Sequence, residues 1–276
     1  MTSDEVARGL SVAFSISNYR LSFRFAVGDA QYGIADVEGC YCGINAFEPG
    51  SWSSFSAEDA EYAARETQAL WTAILASLPC GVVNPPALDT LAGTFLNSPE
   101  LMYLARDVGF RIPMVVTLES GRVTAELLEK GAGKYADLGE LWIIDKSLSR
   151  GNSSALEENE NHFRVTEEVQ GKRFHVTLLG ERFFVCESDT RGSVAQVDPC
   201  QVPSSIRRKL RTLQRRLSLG LAEYEFHVQD DDLWLFSGVR RPPTFSVKAF
   251  GDALFEQVVD FAVRRGVSHG DTGLRR

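Results

Sequence analysis

The sequence predicts an α+β fold, mixed and antiparallel sheets flanked by helices, and three observations predict it. Apolar residues recur at helical spacing in 56–78, 203–219 and 245–264, the pattern of a helix with one buried stripe. Three apolar-alternating runs, 162–169, 173–179 and 182–188, are separated only by Gln170-Gly171-Lys172 and Gly180-Glu181, which reads as a meander of hairpins. A last strand–turn–strand unit, Leu221 to Pro243, alternates Tyr224, Phe226 and Val228 with polar residues, breaks at Asp230-Asp231-Asp232 and resumes over Leu233 to Phe236.

Composition bounds the function. With 276 residues, 44% hydrophobic and 24% charged, the chain can form one large domain or two to three small lobes around a real core. A net charge of −8 argues against a general nucleic-acid binder, which needs a basic footprint. No apolar run approaches the ~20 residues of a bilayer span, so no membrane partner is expected. Cys40, Cys42, Cys80, Cys186 and Cys200 are scattered and odd in number, and no signal peptide precedes them. A reducing, cytoplasmic location is expected. Cys40 and Cys42 share one strand face, but no second C-x-x-C or paired histidine accompanies them, and a structural role is expected.

In chain order, strands are expected at Leu10 to Ile16, Arg20 to Val27 and Cys40 to Phe47. Ser56 to Leu78 is the clearest helix, with Ser56 as cap and Asp59 three residues on. A strand at Cys80 to Val83 meets the turn Asn84-Pro85-Pro86, and Ala87 to Gly93 reads as a short helical piece. Asn97 caps a further helix that has Pro99 in its first turn and stops at Gly109. Then come a strand at Met114 to Thr117, a helix at Arg122 to Lys130 and a strand at Leu141 to Asp145. Asn152 to Asn161 reads as a mobile polar loop. In the helix Pro203 to Leu219, Ile206, Leu210, Leu213 and Leu217 face inward and arginines and a lysine cover the other side. That basic face either docks an acidic peptide or partner, or is simply solvated. Phe245 to Arg264 closes the fold, and a disordered tail is expected at 266–276.

The run LPCGVVNPPALDTLAGTFLNSPELMYLARDVGFRIPMVVTLESG resembles the segment that opens the core of ATP-grasp enzymes of the RimK-like and graspetide (microviridin-type) peptide ligase branch. Asn84-Pro85, Asn97, Pro99, Gly109-Phe110, Pro113 and Thr117 carry the likeness, and Ser98 departs from it, since the family usually has lysine there. The block VTEEVQGKRFHVTLLGERFFVCESDT resembles the ATP-grasp hinge and the strands after it. The resemblance implies an ATP-grasp-like fold with a shortened central lobe. It divides the chain into an N-terminal α/β region (1–113), a reduced central lobe (114–168), a C-terminal lobe (169–265) and the tail.

The same resemblance implies the site. Lys146 stands where a lysine contacts nucleotide phosphates, and Lys146-Ser147-Leu148-Ser149-Arg150-Gly151 reads equally as a phosphate-cradling loop or a plain linker. Glu167 and Glu168 match the pair that meets adenine and ribose, and His175 takes the place of an arginine. That exchange removes a permanently charged bidentate donor. The family holds magnesium with an acid on the first strand of the last hairpin and a Glu-x-Asn on the second. Glu225 matches the acid, while Ser237 and Val239 stand where Glu and Asn belong. Arg240 and Arg241 follow, either neutralising phosphate or clamping a carboxylate, or forming only a basic edge before Pro242.

Two functions are therefore expected. One is a degenerate ATP-grasp protein, a pseudoenzyme that binds a peptide or partner protein in peptide or natural-product modification. The other is an active ATP- and magnesium-dependent carboxylate–amine or ester-forming ligase that uses Lys146, Glu168, Glu225 and Arg240 to act through an acyl phosphate. A weaker third use is His175 as acid–base without ATP. The partner is a peptide or small molecule, or a protein, and a homodimer is possible.

Overall fold

The computed structural model describes residues 11–17, 20–27, 30–87, 90–94, 96, 98–113, 115–119, 133–134, 141–144, 162–167, 171–189, 191–229 and 233–270. Its first strands are β1 (Ser11–Ser17), β2 (Arg20–Val27), β3 (Ala30–Gly33), β4 (Gly39–Tyr41) and β5 (Gly81–Val83). They are followed by β6 (Val115–Glu119), β7 (Gly133–Lys134), β8 (Leu141–Ile144) and β9 (His162–Glu167). The last are β10 (Lys172–Leu179), β11 (Arg182–Ser188), β12 (Val194–Val197), β13 (Leu221–Val228) and β14 (Trp234–Arg240). The helices are α1 (Ala57–Ser77), α2 (Ser98–Asp107), α3 (Ser204–Arg216), α4 (Thr244–Phe250) and α5 (Asp252–Gly270). The strands form sheets ordered β1-β2-β3, β4-β5, β6-β9-β8-β7 and β12-β11-β10-β13-β14. Only the short β4–β5 pair, among these strands, is parallel.

The five-stranded sheet organises the core because its strands alternate. Phe174, Val176 and Leu178 of β10 and Ala222, Tyr224 and Phe226 of β13 point to one face and are buried there. Helices α2 and α3 cover that face through Met102, Ala105, Ile206, Leu210 and Leu213. Phe226 lies 5.7, 5.4 and 5.7 Å from the rings of Phe110, Trp234 and Phe236, close enough for edge-to-face contacts that add to the burial. The opposite face is apolar at one end, where Leu179 and Leu221 meet Leu254, Val258 and Ala262 of α5. Its polar remainder is the candidate site.

Gly180 and Glu181 join β10 to β11, with Leu179 paired to Arg182. Gly180 has φ +57°, as the first residue of a tight II′-type hairpin requires. A Cβ there would sit 2.6 Å from the Phe261 ring of α5. Gly180→Ala is therefore expected to cost about 2 kcal/mol or more, from left-handed strain plus overpacking. Chemical denaturation measures it, and an unchanged midpoint would contradict this packing.

Several elements depart from the sequence expectation. The strand at Cys40 to Phe47 is only Gly39–Tyr41, and β3 was not expected. At 87–93 the described residues form turns, closed by an Ala87 N–H to Thr90 carbonyl bond of 2.9 Å, and not a helical piece. The closing helix is two helices, because Gly251 takes φ +53° between α4 and α5. Helix α5 continues to Gly270, so 266–270 are helical where a disordered tail was expected; 271–276 lie outside the described residues. The expected helix at 122–130, the loop at 152–161 and the Asn97 cap lie outside the described residues.

Candidate functional site

The alternation that buries Tyr224 and Phe226 places Glu223, Glu225 and His227 on the other face of β13. Register then assembles the neighbours. His175 faces Glu225 and Cys186, Thr177 faces Glu223, and Arg173 faces both His227 and Ser188. On β14, Gly238 lies opposite Glu225 and Arg240 opposite Glu223. Helix α4 lies over this row, packing on β10, β11 and β12.

The metal-ligand register expected from the sequence needs correction. A β-bulge between Glu225/Phe226 and β14 takes up one extra residue, Ser237. Val239 consequently pairs with Tyr224 and packs against the core beneath α2 and α3. The i, i+2 pair that shares a face with Glu225 is Gly238 and Arg240, not Ser237 and Val239. Ser237 sits in the bulge, and its Oγ is buried without a hydrogen-bond partner.

Glu225 is mostly buried and accepts a hydrogen bond from the Arg240 guanidinium at 3.2 Å. Arg240 in turn lies 5.3 Å over the ring of Phe245, a cation–π contact that fixes its direction. Arg241 points elsewhere. Its guanidinium donates to the Thr94 carbonyl, and its own carbonyl accepts from Asn45 at 2.8 Å. It ties loops together. The structure thus brings together Glu225, Arg240 and His175 and separates Arg241 from them. Lys146 and Glu168 lie outside the described residues, and Glu167 ends β9.

His175 is fully buried. Its Nε2 is 2.8 Å from the Ser188 hydroxyl, its ring stacks on Phe245 at 3.8 Å, and its Nδ1 stands 4.0 Å from Glu223 Oε1 with no hydrogen-bond partner. Glu223 is equally buried and accepts the backbone N–H groups of Ser246 (2.6 Å) and Phe245 (3.3 Å). It caps the start of α4 and holds that helix on the sheet. Thr177 and Ser246 share a 2.6 Å hydroxyl contact beside it. Glu223, Ser188 and Ser246 were not singled out in the sequence, although the i, i+2 step from Glu225 places Glu223 on the same strand face.

Burial pushes His175 down to about 4; nearby Glu225 acts upward, and Arg240, Arg173 and His227 act downward. Burial pushes the Glu223 carboxyl up, against its backbone hydrogen bonds. A histidine held neutral in the fold is protonated first in the unfolded chain, so its stabilising contribution is lost as pH falls from about 6.5 towards 4. Glu223 works in the opposite direction at the acid end, since a raised carboxyl pKa favours the fold as pH falls. The His175 contribution is expected to be roughly 2 kcal/mol once screening is allowed for. Urea midpoints measured between those pH values, against His175→Gln, check it: the wild type loses more stability, and parallel curves would contradict a neutral buried ring.

Together these contacts make a compact, closed row rather than an open cleft. Among the described residues no three His, Cys, Asp or Glu side chains converge to hold a metal ion. The groups present do not fit magnesium: Glu225 has a guanidinium at hydrogen-bond distance and a glycine across from it, where a hard cation needs oxygen ligands.

No protein-family model and no curated protein sequence matches the chain. Solved structures do, and they define the class: the chain has the ATP-grasp fold. The particular likeness is to ligases of ribosomal peptide modification. The macrocyclase MdnC from Microcystis aeruginosa MRC, bound with its precursor peptide MdnA, superposes with TM-score 0.66 at 13% identity, over 96% of this chain and 90% of that one. The RiPP-associated ATP-grasp ligase of Chryseobacterium gregarium, in complex with ADP and a leader and core peptide, gives 0.64 at 12%, over 96% and 87%. PsnB, complexed with minimal precursor, Mg and ADP, gives 0.56 at 14%, over 78% and 75%. No helix among the described residues is long and apolar enough to cross a membrane.

Proposed function

We propose that this ATP-grasp chain is a non-catalytic peptide-binding partner in ribosomal peptide modification, a fold that has given up magnesium–ATP chemistry. The observation that carries the reading is Arg240 on Glu225, with Gly238 opposite. If the resemblance aligns Glu225 with the family's metal-binding acid, a protein-held cation takes the place of metal and phosphate, and the charge of an acyl-phosphate transition state would find no metal bridge there. Two further observations support it. The residue in the family's arginine position is a buried, neutral histidine, and Phe245 covers it. The peptide half of the reading rests on the fold's relatives, whose structures contain precursor, leader and core peptides.

The test is phosphate release from ATP in the presence of magnesium and a candidate precursor peptide. No release above the protein-free rate is expected while peptide binding persists. Peptide-stimulated turnover would establish the ligase reading instead.

A further inference from the structure

Helix α3 carries Arg207, Arg208, Lys209, Arg211, Arg215 and Arg216 and no acid in its thirteen residues. Its buried side, Ile206, Leu210 and Leu213, needs none of these charges. Nor does the helix itself. Arginines four apart repel by a few tenths of a kcal/mol each, and cations in the early turns oppose the positive end of the helix dipole. Exposed helix faces usually relieve such repulsion with acids one turn away. This one does not.

Some of the charge is used within the chain. Lys209 donates to the Gly109 carbonyl, Arg211 pairs with Glu181 and Arg216 with Asp107. Among the described residues no carboxylate pairs with Arg208 or Arg215, and both are exposed. Arg208, Arg211 and Arg215 stand three and four residues apart and form one stripe. The Lys209 and Arg216 contacts lock α3 to the end of α2, which supplies a second feature. Tyr103 is 67% exposed, with the Arg106 guanidinium 5.8 Å from its ring centre. It borders a shallow depression of ≈ 550 Å³ lined by Leu96, Glu100, Tyr103 and Leu104.

We infer that the α2–α3 face docks an acidic polypeptide segment, its carboxylates on Arg208 and Arg215, which flank the Glu181-paired Arg211, and one apolar side chain in the depression beside Tyr103. Arginine forks take carboxylates bidentately. In an extended segment, side chains two and four residues apart stand about 7 and 13 Å apart, which brackets the roughly 10 Å between Arg208 and Arg215 along the helix. The rest of the molecule favours a short acidic segment over nucleic acid. The chain's net charge is −8, which repels a long polyanion beyond the stripe, and the apolar depression has no counterpart in a phosphate backbone. The inference deepens the peptide-binding reading above and rests on it for the polypeptide nature of the partner.

The experiment is fluorescence anisotropy of a labelled peptide that alternates glutamate with serine and carries one phenylalanine. It is run on the full chain and on Arg208→Glu/Arg215→Glu, which alters two exposed side chains without intramolecular ion pairs, with circular dichroism confirming the fold. Salt-sensitive binding that weakens about tenfold or more in the double variant is expected, as is a smaller loss in Tyr103→Ala. Equal binding by wild type and double variant overturns the surface and leaves the peptide-binding reading standing. Tighter binding of a single-stranded oligonucleotide of the same charge overturns the choice of partner. A salt-dependent dimer lost in the double variant does so in favour of a second copy. Peptide-stimulated phosphate release overturns the non-catalytic reading alone.

Discussion

Asn84→Ala is expected to destabilise the protein by about 3–5 kcal/mol, through loss of a buried three-way hydrogen-bond junction and left-handed backbone strain. Asn84 is 1% exposed and has φ +58°. Its side chain accepts the N–H groups of Gly220 (2.7 Å) and Leu221 (2.9 Å) and donates to the Leu221 carbonyl (2.7 Å). One amide thus fastens the loop after β5 to the first residue of β13, the strand that carries Glu223 and Glu225. Alanine keeps none of these bonds and pays the steric cost of a positive φ. Asn84→Gly keeps the backbone geometry and loses only the bonds, so it separates the two contributions. A drop in melting temperature on the order of 10 °C for alanine is expected, with a smaller drop for glycine. Equal, small shifts for both would show that the junction contributes little.

The second large effect is a gain. Gly238→Glu with Arg240→Asn is expected to create magnesium binding at about millimolar affinity, where the wild type binds none measurably. The bulge at Ser237 places these two positions beside Glu225 on the face of the β13–β14 hairpin that points away from α2 and α3. The change removes the guanidinium that holds Glu225 and supplies one carboxylate and one amide oxygen. The contrasting variant, Ser237→Glu with Val239→Asn, is expected to bind no metal and to lose stability, because Val239 packs into the core and a buried amide there lacks a partner. Metal titration of both variants decides it. Magnesium binding by the second pair and not the first would refute the bulged register.

Much of the architecture is legible in the sequence because local chemistry and tertiary context agree there. Ser56 caps α1 and accepts the Asp59 N–H at 3.2 Å as the spacing implies. Gly180 makes its hairpin, and Gly109, at φ +94°, follows the end of α2. The site is less legible, since its decisive features are non-local. A bulge leaves no compositional mark. Strict alternation therefore assigns Val239 to the wrong face, although the strands themselves lie where expected. Glu223 reads as one more polar partner in an alternating strand until α4 folds over it and offers the Phe245 and Ser246 N–H groups. Gly251, read as part of a continuous helix, is the hinge that lets α4 lie on the sheet while α5 packs at its end. Asn84 and Pro85 read as a turn, which is right locally, but the bonds of Asn84 reach residues 136 and 137 positions away.

On the reading proposed here, Glu225 and Arg240 neutralise each other where a ligase would gather magnesium and phosphate. Isothermal titration of the full chain with ATP, with and without magnesium, tests it most directly. No heat attributable to nucleotide, and no difference on adding magnesium, is the expected result. Micromolar, magnesium-dependent ATP binding would contradict it.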